Sequence, residues 1–215
     1  PLAPELLDAQ LAALVDDPAR LDTCLLELQR LELIREIGRV PEPSYLFNHS
    51  LAQEAVYNTI LLKQRRALHL RVAEVIETLR AANLAAAAAT LAHHFIEGES
   101  PRRALPYLLM AGGAALRLHA VGEAITAYDR ALPIARALPD VSADLITIYT
   151  NRGRALELLS QFAEAKATYE EMEVLAIERA DPALELEALI AQGKLHANVT
   201  PFYDPVRGRA LMERA

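Results

Sequence analysis

His49 is the residue of this chain best placed for chemistry. It stands in YLFNHSLAQEAVYNTIL, Tyr45 to Leu61, at what reads as the first turn of an amphipathic helix. Free N–H groups and the positive end of the dipole gather at a helix start, so an imidazole there can meet an anion. The same place also suits a histidine that merely caps or packs, and the spacing alone leaves both readings open. His93-His94 with Glu97 invites a metal, since i and i+4 share a helical face, but two ligands fall short of a zinc set and no third is evident. No metal site is assigned. Cys24 is the one cysteine and lies in an apolar run without a histidine near it in sequence, and no Ser/His/Asp or Cys/His arrangement can be assembled elsewhere. No G-x-x-x-x-G-K-[ST] occurs, and Gly112-Gly113 is followed by no lysine. No catalytic residue is therefore assigned, and no cofactor is expected in this chain itself. His119 and His196 fall at positions expected to face neighbouring helices. His69, beside Arg65 and Arg66 in RRALHLRVAE, is expected on a polar, exposed side with a structural role.

The elements that position these residues are helical. Of 215 residues 53 % are hydrophobic but only 5 % aromatic, and Ala and Leu carry most of that content, which favours helix over sheet. Asp17-Pro18, Ser100-Pro101, Asp181-Pro182 and Asp204-Pro205 each join a good N-cap to a proline at the first helical position. Leu68, Val72, Val75, Ile76 and Leu79 fall on one helical face, as do Phe162, Ala165, Tyr169, Met172 and Ala176. Pro106 and Pro133 sit inside helical patterns and should kink or restart their helices. One stretch differs: LIREIGRVPEPSYLF, Leu33 to Phe47, holds two short strand-like runs around a turn rich in Gly and Pro. With the helical LDTCLLELQRLEL before it and the His49 helix after it, this is the pattern of a winged helix.

Charge narrows the partners. The formal net charge is −7 and the pI is near 5.4, against the basic face a duplex DNA binder needs to neutralise phosphates. Lys63, Arg65, Arg66, Arg71 and Arg80, interleaved with Glu74 and Glu77, are expected on a solvated helix face. One cysteine speaks for a reduced compartment, and no signal peptide or long uncharged apolar segment appears, so a cytoplasmic protein without membrane contact is expected. The chain opens PLAPELL, without Met, and reads as a piece of something longer.

The second half repeats. AGGAALRLHAVGEAITAYDRAL aligns with NRGRALELLSQFAEAKATYEEM, so that Gly112, Ala124 and Tyr128 match Gly153, Ala165 and Tyr169 at an offset of 41. A third copy begins at Gly193 and extends to Gly208 and Met212 after an insertion around VTPFYDP; an earlier, weaker one runs through Ala92, Phe95, Ala104 and Leu108. Small residues let two helices approach closely and the aromatic fills the space beside them. One hairpin cannot hide its apolar face, so hairpins must stack. The pattern Gly112, Ala124, Tyr128, Ala131 resembles the tetratricopeptide repeat (TPR), whose period is about 34 residues; the longer period here would lengthen the helices by about two turns in total. Leu108, Tyr149 and Leu189 stand where that family has its first large residue, which marks a divergent superhelix.

A second resemblance covers roughly Leu25 to Glu77. Tyr45, Phe47, His49, Leu51, Glu54, Tyr57, Leu61, Arg66 and His69, with Leu62 and Val72 alongside, resemble a segment of signal-transduction ATPases with numerous domains (the STAND class), including those fused to bacterial adenylate/guanylate cyclases and to LuxR-type regulators. The resemblance implies a winged helix following a nucleotide-binding domain, with a repeat array after it. It also implies a role for His49: in that class a histidine in a Met-His-Asp-like motif approaches the β-phosphate of ADP and helps lock the closed state. Ser50 stands where that motif has aspartate. The expected layout is a winged-helix-like domain over 1–63, a connecting helix over 64–82 and TPR-like repeats over 83–215, a mainly α fold with one small β-ribbon. The expected function is a non-catalytic control region: the repeats bind a protein or peptide, and the winged helix couples that event to ATP or ADP held upstream. Arg117, Tyr149, Arg152, Lys194 and His196 are the candidate partner contacts. The alternative is a DNA-binding regulator using the winged helix, but its candidate recognition helix carries Asp22, Glu27, Glu32 and Glu36 against Arg30 and Arg35, an excess opposed to phosphate.

Overall fold

The computed structural model describes residues 6–7, 12–14, 17–38 and 44–215. The Gly/Pro-rich ribbon turn at 39–43 and the opening residues 1–5 lie outside them. The protein is mainly helical with a small antiparallel sheet, and by Cα packing it divides into two compact units, Pro1–Ala104 and Leu105–Ala215.

In the first unit, α1 (Pro18–Arg30) starts where Asp17 accepts from the Arg20 amide at 3.3 Å. It stops at Arg30, shorter than its apolar pattern, because Glu32 turns left-handed at φ 55° and the Leu33 amide reaches back to the Leu28 carbonyl. The chain then forms β2 (Ile34–Gly38) and β3 (Ser44–Phe47), antiparallel with Ile34 opposite Phe47 and an irregularity between Glu36 and Gly38; β1 (Leu6–Leu7) pairs on the other side of β3. Leu21, Leu25 and Ile34, backed by Leu28, Tyr45 and Phe47, seal α1 onto this ribbon. α2 (Ser50–Thr59), α3 (Leu62–Leu79), a single 3-10 turn (Ala81–Asn83) and α4 (Leu84–Glu97) follow, with α3 packed along α4. On α3 the seam is Ala73 and Ile76, while Leu68 and Leu79 are exposed at 46 % and 48 %. The five-residue face read from spacing is thus wider than what α4 covers, since small Ala88 and Ala92 let α4 come close along a narrow strip.

α5 (Pro101–Arg117) carries the chain into the second unit, which continues with α6 (Val121–Ala137), α7 (Ser142–Leu158), α8 (Phe162–Arg179), α9 (Pro182–Ala197) and α10 (Pro205–Arg214). Four of the helices begin at the prolines of the four cap-proline pairs; Asp181 accepts from the Leu184 amide at 3.1 Å and Asp204 from that of Arg207 at 3.0 Å. Neither Pro106 nor Pro133 restarts a helix: α5 and α6 each run through. Short turns make successive helices antiparallel, and α6 to α10 pack each on the next, with α7 also meeting α9.

Four of the helix-to-helix turns share one device, while the α6–α7 turn has a left-handed Asp140 without it. Glu99, His119, Ser160 and Ala180 are left-handed, and the amide of each following residue bonds back to Phe95, Ala115, Leu156 and Ala176, as at Glu32. This six-residue closure satisfies carbonyls left over at a helix end. His119, expected to face a neighbouring helix, is instead an exposed member of this set, because a left-handed backbone swings its side chain off the helix face.

The glycines of the repeat occupy equivalent seats. A Cβ on Gly112 would lie 2.7 Å from Tyr128 Cζ, and one on Gly153 would meet the Tyr169 ring closer still, with Oη at 2.6 Å. Gly193 faces Met212 Cε at 2.9 Å in the same way, and Gly208 abuts the Gly193 carbonyl at 3.1 Å. Ala124, Tyr128, Ala131 and Ala165 are fully buried and Tyr169 nearly so. Arg179 ties adjacent hairpins by donating to the carbonyls of Arg136 (2.6 Å) and Leu138 (3.4 Å), and Arg214 pairs with Glu173 at 2.9 Å. Among the described residues no single helix is long and apolar enough to cross a membrane.

Candidate functional site

His49 is the N-cap of α2, with extended backbone (φ −132°, ψ 117°). Its carbonyl accepts from the Ala52 and Gln53 amides at 3.1 Å, while its imidazole caps nothing and is exposed. Asn48 fixes the approach: its Nδ2 donates to the Glu32 carbonyl at 2.7 Å and its amide to that of Leu33 at 3.0 Å, tying the end of β3 to the end of α1. His49 thereby shares an open depression of about 710 Å³ with Gln29, Glu32, Ile34, Arg35 and Asn48. An uncommitted imidazole and one guanidinium border the depression, with one carboxylate opposed to them. The helix N-terminus beside them adds amides oriented for an anion.

A second cluster lies at the other end of α2. His69, on α3, is half-buried: Nε2 meets Tyr57 Oη at 3.0 Å and Nδ1 meets Nδ1 of His94, on α4, at 2.8 Å. The His93 ring stands 5.8 Å from that of His69 and 5.3 Å from that of His94. Arg65 covers the Tyr57 ring at 4.8 Å and donates from Nε to the Ile60 carbonyl at 2.9 Å; Arg66 pairs with Glu99 at 2.5 Å. The expectation of a wholly solvated basic face therefore fails at Arg65 and Arg66, whose charges are spent on the α2–α3 corner and on Glu99. His69 likewise is no exposed residue. Burial, then the neighbouring His93, lowers its pKa below 6.5, with Glu97 opposing and Arg65 adding to the fall. His94 is lowered to about 4, by burial first and then by His69 and His93. Among the described residues no group of three or more His, Cys, Asp and Glu side chains is arranged to hold a metal; the two Nδ1 atoms are at hydrogen-bond distance.

Spacing alone missed this cluster, because its members lie 12 and 25 residues apart on three helices. The available signal was a histidine pair in the otherwise apolar LAAAAATLAHHF, where a buried ring needs a polar partner.

The candidate partner contacts divide. Arg117 and Lys194 are exposed. Tyr149 is fully buried and its hydroxyl accepts from Arg136 Nε at 2.9 Å. Arg152 bonds Asp129 at 2.6 Å and also Thr168, and His196, 4 % exposed, meets the Phe202 carbonyl through Nδ1 at 2.7 Å. Tyr149 and Arg152 hold helices together and His196 holds the connection after its own helix, rather than projecting to a partner. Tyr169 donates to Glu157 at 2.7 Å, and burial followed by that carboxylate pushes its pKa up. Cys24 is exposed and unbridged.

No family model, no curated protein and no solved structure matches the chain.

Proposed function

We propose that this chain is a non-catalytic regulatory and interaction region of a larger STAND-type signal-transduction ATPase, built as a winged-helix-like module followed by a TPR-like superhelix. The observation that carries the reading is the repeated seat of Tyr128 on Gly112 and Tyr169 on Gly153, 41 residues apart, in hairpins stacked one on the next. Stacked hairpins of this kind expose continuous surface and bury no reaction chamber, the property of a binding array. The order of α1, ribbon and His49 helix supports the winged-helix part, and the uncommitted imidazole of His49 supports a phosphate-sensing role in the longer protein. A partner on the repeats would shift the balance between closed ADP-bound and open ATP-bound forms. Arg117 and Lys194, the exposed members of the candidate set, are the contacts of choice. That reading places the chain in the cytoplasm.

In the longer ATPase, His49→Ala accelerates ADP release measured by fluorescent-nucleotide stopped flow, and an unchanged off-rate overturns the sensing role. The isolated chain turns over no ATP; turnover that survives purification and tracks with the chain overturns the non-catalytic reading. In a gel shift with random duplex DNA at low salt no complex forms, whereas strong, salt-sensitive binding would favour the DNA-regulator alternative.

A further inference from the structure

α2 is weakly tied to its surroundings. None of its residues is buried, and Leu51 and Val56 are exposed at 78 % and 55 %. Its N-terminal end follows directly from β3 through Asn48 and His49. Its C-terminal end is held by the Tyr57 hydroxyl on His69 Nε2, by Arg65 over the Tyr57 ring and by Arg65 on the Ile60 carbonyl. His69 in turn is held by His94, with the two Nδ1 atoms 2.8 Å apart.

That distance demands a proton between the two nitrogens, and one proton only. With both rings neutral, one Nδ1–H donates to the other ring, and Tyr57 either donates to His69 Nε2 or accepts from it. One added proton is accommodated: His69 as imidazolium donates from Nδ1 to His94 and from Nε2 to Tyr57, and every bond survives. A second added proton places N–H against N–H at 2.8 Å, and the bridge must break. The surroundings disfavour that charge. From α3, Arg65 acts on His69, and Arg66 stands next along the helix with Glu99 as its partner. From α4, His93 lies beside both rings and Glu97 is the carboxylate acting on His69. From α2 the facing group is Tyr57.

We propose that the His69–His94 pair is a proton-operated latch for α2. While the bridging proton is shared, Tyr57 stays bound and α2 is docked against α3, with His49 fixed at its head. When both imidazoles are charged, repulsion turns the His69 ring away from His94 and draws Nε2 off the Tyr57 hydroxyl, and α2, left on its Arg65 contacts, opens more readily from α3. Position of His49 and protonation of a site at the opposite end of its helix are thereby linked. The latch stands on geometry within the first unit and holds whatever His49 binds.

The test uses the 215-residue chain, with amide-exchange protection factors corrected for intrinsic pH dependence. Between pH 7 and 4.5, protection of Ser50–Thr59 falls about ten-fold or more, the consequence of a linked proton over a range of this width, while Ala165–Ala176 of α8, whose inner face is buried, keeps its protection. His94→Gln, which bridges without taking a proton, holds α2 protected over the same range; His93→Gln leaves the fall in place. The His69 and His94 imidazoles, followed by NMR in the unaltered chain, titrate in two coupled steps. Protection of α2 that ignores pH, an undiminished fall in His94→Gln, or two independent titrations near 6.5 would each overturn the latch. Should His94→Gln not fold, the imidazole titration of the unaltered chain decides alone.

Discussion

Gly153→Ala isolates the contact on which the repeat geometry depends. The added methyl would sit 2.6 Å from Tyr169 Oη and closer still to two ring carbons. The ring has little room to yield: Tyr169 is 4 % exposed, clustered with Leu156, Ala165 and Leu195, and anchored through its hydroxyl to Glu157. Overpacking a full core costs about 1–3 kcal/mol, and disturbing a bond to a carboxylate adds about 1 kcal/mol. Against these, Ala is better than Gly in a helix interior by about 1 kcal/mol. The net is a loss of about 2 kcal/mol, which lowers the Tm by about 4–8 °C for a chain of this size. Gly113→Ala is the control on an adjoining helical position of the equivalent hairpin, because its methyl meets only Arg117 Nη1 at 3.6 Å. It should gain up to about 1 kcal/mol. Thermal melts followed by circular dichroism at 222 nm read both variants. If Gly153→Ala melts at or above the parent, as Gly113→Ala should, then Gly153 is no close-approach position and the seat is wrong.

Ser160→Gly should stabilise by about 0.5–1 kcal/mol in urea unfolding, because a left-handed backbone at φ 58° strains any residue with a Cβ. Asp181→Ala removes the cap on the Leu184 amide and should cost about 1 kcal/mol in the same assay. The first unit should weaken in acid. Folding holds His94 at about 4 and His69 below 6.5, so the neutral forms belong to the folded state; their contribution is complete above pH 6.5 and lost as pH falls towards 4. For His94 this amounts to about 3 kcal/mol at full burial and about 1–2 kcal/mol after solvent screening. A melt series from pH 7 to 4 should show that loss, reduced in His94→Gln.

Local chemistry was readable from the chain, and chemistry shared between helices was not. Helix starts at Pro18, Pro101, Pro182 and Pro205 were readable because a cap and its proline act within four residues. The pairing of Gly112 with Tyr128 and Gly153 with Tyr169 was readable because it recurs. Exposure of Leu68 and Leu79 was not, since helical spacing gives a direction but no width of cover. Tyr149, Arg152 and His196 looked available from their register, yet the first two found polar partners on another helix and the third on the connection after its own, which spacing within one helix cannot reveal. His49 was correctly expected at a helix start, because the strand-to-helix change in pattern falls on it.

The left-handed closures have a consequence for how such a chain changes length. Each of these four bends is set by backbone geometry at one residue, and Glu, His, Ser and Ala all occupy the position. A hairpin can then be duplicated or deleted in register without inventing a new corner, provided the Gly–Tyr seat travels with it. The seven residues from Asn198 to Asp204, where a longer connection joins α9 to α10 and Met212 replaces the ring, mark the place where that rule is relaxed. Variation in this stretch should be tolerated while the bends upstream stay fixed in length.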